Sequence, residues 1–146
     1  MTERRASYTT GAPREIWFNL GFPDPSLNPN AQKRAWYYRE EARKIAKEAA
    51  FSAAKVSMHQ YGLNFGAWKK LPLYLEITFN PPNKRHRDLD NLLASMKPDI
   101  DGLCSALGVD DSQIKKITMQ WGNVVEYGDM DLKLELLDIQ GDNAKT

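Results

Sequence analysis

A chain of 146 residues with 42% apolar content and a net charge of +1 fits a single hydrophobic core of the usual ~100–200 residues. It has no run of ~18 apolar residues that could cross a bilayer, and Met1 to Thr10 carries Arg4 and Arg5 without the apolar stretch of a secretory signal, so a soluble, unexported protein is expected. One cysteine, Cys104, and two histidines, His59 and His86, exclude an internal disulfide and a Cys/His zinc cluster from one chain, leaving oxygen atoms as the main ligands of any metal.

Residues 14–22 read as the first strand, with Ile16, Phe18 and Leu20 alternating against Trp17 and Asn19. Pro23, Asp24, Pro25, Ser26, Asn28 and Pro29 then predict an ordered loop with little regular structure. The spacing of Ala35, Tyr38, Ala42, Ile45, Ala49, Ala53 and Val56 predicts a long helix over 31–61 with those residues on its buried face, a basic outer surface and Gly62 as its stop. Residues 71–79 alternate as a second strand, ended by Asn80-Pro81-Pro82-Asn83. A second helix is predicted over 89–107 with the stripe Leu89, Leu92 or Leu93, Met96, Ile100, Leu103 and Leu107, closed by Gly108; Pro98 inside it predicts a kink or restart. Two β segments, 114–125 and 131–139, joined by a turn at Gly128-Asp129, complete an α+β fold: a mixed sheet of about four strands with two principal helices. One domain is expected over 12–140, with loose tails at 1–11 and 141–146.

Charge is divided unevenly along the chain. Up to Arg87 there are fifteen Lys/Arg against seven Asp/Glu, a net +8, and from Asp88 onward five against twelve, a net −7. Such asymmetry points to a polyanionic partner, although halves that interleave in one fold cancel each other. The sign changes at Arg87-Asp88-Leu89-Asp90-Asn91-Leu92, which is followed by Lys97 and, past the second helix, Asp110-Asp111. If the chain is extended at Asp88 to Asp90, both carboxylates project to one side while Leu89 points inward. Neighbouring carboxylates repel, and Mg²⁺ relieves such a pair while still reaching substrate phosphates. Blander roles compete: Asp90 as a helix N-cap, Asp88 as a solvated side chain, Asp110-Asp111-Ser112 as a polar turn. Capping alone does not call for the whole conjunction beside Lys84, Arg85, His86 and Arg87.

The segment from Arg87 to Asp111, including Lys97-Pro98 and Asp101-Gly102-Leu103, resembles the RusA-like crossover junction endodeoxyribonucleases, which are frequent in phages and prophages. Pro25-Ser26-Leu27-Asn28, followed by a long basic helix containing Trp36, is similar to that family's Asn-containing loop and first helix. The resemblance implies a RusA-like homodimer in which Asp88, Asp90 and Asp111 bind Mg²⁺, with Mn²⁺ able to substitute, and a lysine on the second helix assists catalysis. It implies a structure-specific DNA endonuclease that resolves Holliday (four-way) junctions by paired phosphodiester hydrolysis in the cytoplasm of a bacterial host. In the family's short pattern the lysine falls four residues after the second aspartate; here position 94 is alanine and Lys97, seven residues on, is the nearest. At ~100° per residue those offsets differ by ~60°, which keeps Lys97 on the side of Asp90, about one turn deeper; a solvated lysine is the competing reading.

Lys69, Lys70, Lys84, Arg85 and Arg87, with Arg34 and Arg39 behind them, are candidates for phosphate contact. Trp17, Trp36, Phe65, Trp68 and Trp121 divide between core packing and a dimer interface. Cys104 reads as a small core residue, His86 as a phosphate neighbour and His59 as polar surface. Two rival functions stand beside junction cleavage: a DNA-binding accessory protein with the same fold that does not cut, and a nuclease for other branched DNA.

Overall fold

Four segments with apolar residues at every second position form one sheet. In the computed structural model, which describes residues 13–138, they are β1 (Glu15–Gly21), β2 (Leu73–Asn80), β3 (Ile114–Trp121) and β4 (Asp129–Leu136). The tails expected at 1–11 and 141–146, and the last residue of the strand expected to reach 139, lie outside the described residues. The order is β1-β4-β2-β3, with β4 antiparallel to both neighbours and β2 parallel to β3. The sheet is therefore mixed, and the last two strands do not form a hairpin. Apolar alternation decides who sits in the middle: Leu73, Leu75, Ile77 and Phe79 of β2 and Met130, Leu132 and Leu134 of β4 are all wholly buried, whereas Ile117 and Trp121 of β3 remain exposed and that strand takes an edge.

Helices cover one face of the sheet. Residues expected to form a continuous helix from 31 instead make a 3-10 segment, Lys33–Tyr38, before α1 (Arg39–Tyr61) begins. The run Trp36-Tyr37-Tyr38 has poor helix propensity, and the Arg39 guanidinium donates to the carbonyls of Ser26 and Asn28, both at 3.1 Å, anchoring the chain there to the preceding loop. The buried face of α1 also differs from the expected stripe: Ala50, Ala54, Ser57 and Met58 face the core, while Ile45 and Val56 are 56% and 59% exposed. The cause is close approach. Gly102 lies against the Lys47 backbone carbonyl and the Ala50 methyl so tightly that an added Cβ has no room, and only small residues allow helices to come that near.

The second predicted helix is divided into α2 (Leu89–Ser95) and α3 (Lys97–Leu107), with Pro98 in the first turn of α3. The restart expected from proline is thus observed at Met96. Gly62 and Gly108, both at φ 75°, end α1 and α3 in the left-handed conformation. Trp68 belongs to the core, its indole donating to the Pro13 carbonyl at 3.2 Å, and Cys104 is buried as expected; Trp17, Trp36, Phe65 and Trp121 are exposed. Among the described residues no helix is long and apolar enough to cross a membrane.

Candidate functional site

Strand register brings three loops to one end of the sheet. Gly21 and Asn80 both pair with Asp129, and Phe79 pairs with Trp121, so the segments after β1, after β2 and before β4 converge there. They enclose a cleft of about 640 Å³ whose lining includes Phe22, Asn28, Arg85, Asp88, Asn91 and Tyr127. The Pro25–Leu27 turn, held by Asp24 accepting from the Ser26 N–H at 2.9 Å, delivers Asn28 to this cleft. The Pro25–Asn28 loop and the beginning of the Arg87–Asp111 segment, some sixty residues apart, therefore meet at one place.

Asp88 is the N-cap of α2, with φ −94° and ψ 132°, and Leu89 is already helical. This corrects the expectation that Asp90 is the cap, and limits the extended backbone to Asp88 itself. The Asp88 carboxylate lies 3.2 Å from His86 Nε2 and 3.5 Å from Asn91 Nδ2. Both members of the His86 pair are well exposed, so it contributes little to stability. Asp88, Asn91, Leu92 and Ser95 form one wall of the cleft. Asp90 stands exposed in the first turn, accepting the Asn91 N–H at 2.9 Å, and Lys97 is exposed at the start of α3. Because the helix breaks at Met96, the count of ~100° per residue that aimed Lys97 at Asp90 does not carry across.

Asp111 lies at the opposite end. It opens a 3-10 turn, Asp111–Gln113, directly before β3, and Gln113 Nε2 donates to the carbonyls of Trp68 and Leu71, both at 2.9 Å, ahead of β2. The cap of that turn is Asp110, whose carboxyl is held below its ordinary value by hydrogen bonds from Ser112. Burial, and then the charges of Asp111, Asp101 and Asp110, push the Cys104 thiol up to about 12, which places this acidic group beside the far end of α3. Ile114 starts β3 opposite Leu73, whereas Asp88 follows the other end of β2. At ~3.3 Å per residue the strand alone separates Asp111 from Asp88 by roughly 20 Å. Among the described residues no group of three or more His, Cys, Asp or Glu side chains is placed to hold a metal ion. One chain does not bring the three carboxylates together.

The cations separate similarly. Arg87 is a brace: its guanidinium donates to the carbonyls of Asn83 (3.2 Å) and Arg85 (3.0 Å) and to Asn83 Oδ1 (2.9 Å), 5.3 Å above the Phe22 ring. Burial and the like charge of Arg85 lower its pKa. Arg39 braces the Pro25–Asn28 loop and stacks on Trp36 at 4.8 Å. Lys84 and Arg85 are exposed beside the cleft; Lys69 and Lys70 are exposed just before β2, at the end of Asp111. The side chain of Arg34 lies outside the described residues. Sequence reasoning missed Phe22, Asn83, Asn91 and Tyr127 as cleft residues. For Tyr127 a signal existed in the following glycine, since Tyr127 (φ 67°) and Gly128 (φ 71°) make the tight turn into β4.

No family model matches the chain. It is similar to an uncharacterized protein of Xylella fastidiosa (strain Temecula1), with 38% identity over 92 residues, 63% of this chain and 58% of the relative, so the match spans less than two thirds of that protein's length.

Proposed function

We propose that this chain is an Mg²⁺-dependent, structure-specific DNA endonuclease of the RusA type that cleaves four-way junctions as a homodimer. The observation that carries this reading is the convergence of Asn28, Arg85 and Asp88 on one cleft, with Lys84 and Asp90 exposed next to them in sequence. Lys84 and Arg85 would hold the phosphate backbone, and Arg39 and Arg87 would keep the two cleft loops in shape. Such contacts are largely independent of base sequence and strongly salt-dependent.

The donors of a single chain do not fit a three-carboxylate metal site. The reading therefore requires a second copy whose Asp111 joins Asp88 and Asp90 of the first, which a two-fold dimer supplies twice, matching two cuts on a symmetric junction. A divalent cation held there would supply the Lewis acidity that phosphodiester hydrolysis needs.

The test offers a labelled four-way junction to the protein in EDTA, Mg²⁺ or Mn²⁺, beside Asp88→Asn and Asp90→Asn. Metal-dependent paired nicks that both substitutions abolish support the reading; nicking by Asp90→Asn at the wild-type rate defeats it. The dispersal of the carboxylates within one chain favours a second reading, a junction-binding accessory protein that does not cut, recognised by tight binding with intact DNA in every metal. Flap and fork substrates in the same assay separate junction cleavage from a broader branched-DNA nuclease.

A further inference from the structure

We infer that a groove between the residues following β2 and those following β3 takes a run of unpaired DNA, with the Trp121 indole stacked on one base and Lys84 and Arg85 on the neighbouring phosphates. The groove has a volume of about 510 Å³ and is lined by Lys84, Arg85, His86, Arg87, Trp121 and Val124 among others. It adjoins the cleft, since Asn83, Arg85, His86 and Arg87 line both. Backbone hydrogen bonds fasten its walls together: the Gly122 N–H donates to the Phe79 carbonyl at 2.8 Å and the Val125 N–H to the Pro81 carbonyl at 2.9 Å. The chain leaving β3 therefore runs beside the chain leaving β2. Glycine at 122 permits this approach, because a Cβ there would strike Asn80 Oδ1. The Trp121 ring leans on the buried Phe79 ring, with centroids 6.1 Å apart, yet the residue stays 43% exposed. The core thus fixes the indole while part of its surface is offered to the groove.

Charge and ring together select the occupant. Lys84, Arg85 and His86 are exposed, and among the described residues no Asp or Glu lines the groove, whereas Asp24 and Asp88 line the cleft. The groove can therefore hold a polyanion with no metal bound, which the carboxylates of the cleft oppose. Both ends of the described chain lie at the other end of the sheet, where the Leu136 N–H donates to the Arg14 carbonyl and the Leu137 N–H to the Pro72 carbonyl, each at 2.9 Å. Successive cations suit a phosphate backbone, and an exposed indole suits the face of a base, which a duplex keeps inside its own stack. A run of carboxylates on an acidic peptide matches the charge but has no flat π surface to lay on Trp121. Because the two cavities share a wall, a strand in the groove passes close to Asp88, so unpaired nucleotides would flank the bond to be cut. That last step rests on the proposed function; the binding itself does not.

The experiment uses the full chain in EDTA at low salt, with fluorescent oligothymidylate, an abasic strand of the same length, a paired duplex and polyglutamate as probes, read by anisotropy. The unsubstituted protein should bind oligothymidylate about tenfold more tightly than the abasic strand; equal affinities overturn the inference without any variant having to fold. Trp121→Ala should remove that advantage and leave abasic affinity unchanged, and Trp121→Phe, which keeps a ring, should restore most of it. Lys84→Ala and Arg85→Ala should each weaken both strands several-fold and flatten the salt dependence. An equal loss on both strands in Trp121→Ala would mean that the residue acts only by packing on Phe79, and overturns the inference, as does a matching loss on the duplex. Polyglutamate binding with the same dependence on Trp121 would assign the groove to acidic peptides and likewise overturn it. Nothing is cut in EDTA, so the two readings fail separately. A protein that meets these expectations and never nicks a junction in Mg²⁺ keeps the groove and loses the nuclease; one that nicks junctions but binds the abasic strand as well as oligothymidylate does the reverse.

Discussion

Asp99 is a buried carboxylic acid whose burial is readable as a pH dependence of stability. It is 5% exposed in the first turn of α3, and burial pushes its carboxyl from 3.8 up to about 7, opposed only in part by a backbone hydrogen bond. A carboxyl raised on folding favours the folded state while protonated: its contribution is complete below 3.8 and is lost as pH rises through about 7. At ~1.36 kcal/mol per pH unit the loss has a ceiling of about 4 kcal/mol, a large part of the ~5–15 kcal/mol that holds a typical domain together. Asp99→Asn removes the titration and keeps the shape. Urea unfolding at half-unit steps from pH 4 to 8.5 should show the wild type losing stability relative to the variant across this window, with the difference flat above pH 8. Parallel curves for the two proteins would refute the reasoning, since a carboxyl that ionises as easily folded as unfolded produces no difference.

Other outcomes follow from the packing and the site. Gly102→Ala should destabilise by about 2–3 kcal/mol, read from the urea midpoint at unchanged slope, because the new methyl meets the Lys47 carbonyl of α1. Mixing Asp88→Asn/Asp90→Asn chains with Asp111→Asn chains should restore roughly a quarter of wild-type nicking, since half of randomly mixed dimers hold one intact site when Asp111 acts across the two-fold; no gain over either parent places all three residues within one chain or outside the chemistry.

Strands, the break at Pro98 and the glycine caps were legible because each rests on a local rule: period-two alternation, a missing N–H, a left-handed residue. The buried face of α1 was not, because pattern reading weights Ile45 and Val56 above Ala50, Ala54 and Ser57, while the contact with Gly102 rewards the smaller set. The placement of Asp111 was equally hidden. Asp88 and Asp111 bracket a compact motif in sequence, but the seven residues of α2 and eleven of α3 between them extend about 27 Å at 1.5 Å each. Nor did composition reveal that Arg39 and Arg87 serve backbone carbonyls, since a guanidinium on a loop reads the same whether it faces phosphate or its own chain.

The fold also redefines what the charge asymmetry can mean. β1 comes from the basic part of the chain and pairs with β4 from the acidic part, so the two signs interleave and the +8 and −7 do not map onto separate surfaces. Near the cleft, the electrostatic case for a polyanion rests on Lys84 and Arg85, and these stand close in sequence to two carboxylates, Asp88 and Asp90, that repel phosphate when no cation is bound. Each such charge, near phosphate and well solvated, is worth about 1 kcal/mol at ~4 Å. In EDTA at low salt, Asp88→Asn/Asp90→Asn should therefore bind a four-way junction several-fold more tightly than the wild type. Ca²⁺, by inverting the sign at the wild-type carboxylates, should close that gap. Equal affinities in EDTA would mean that the carboxylates do not face the DNA, and the cleft would lose its connection to the phosphodiester.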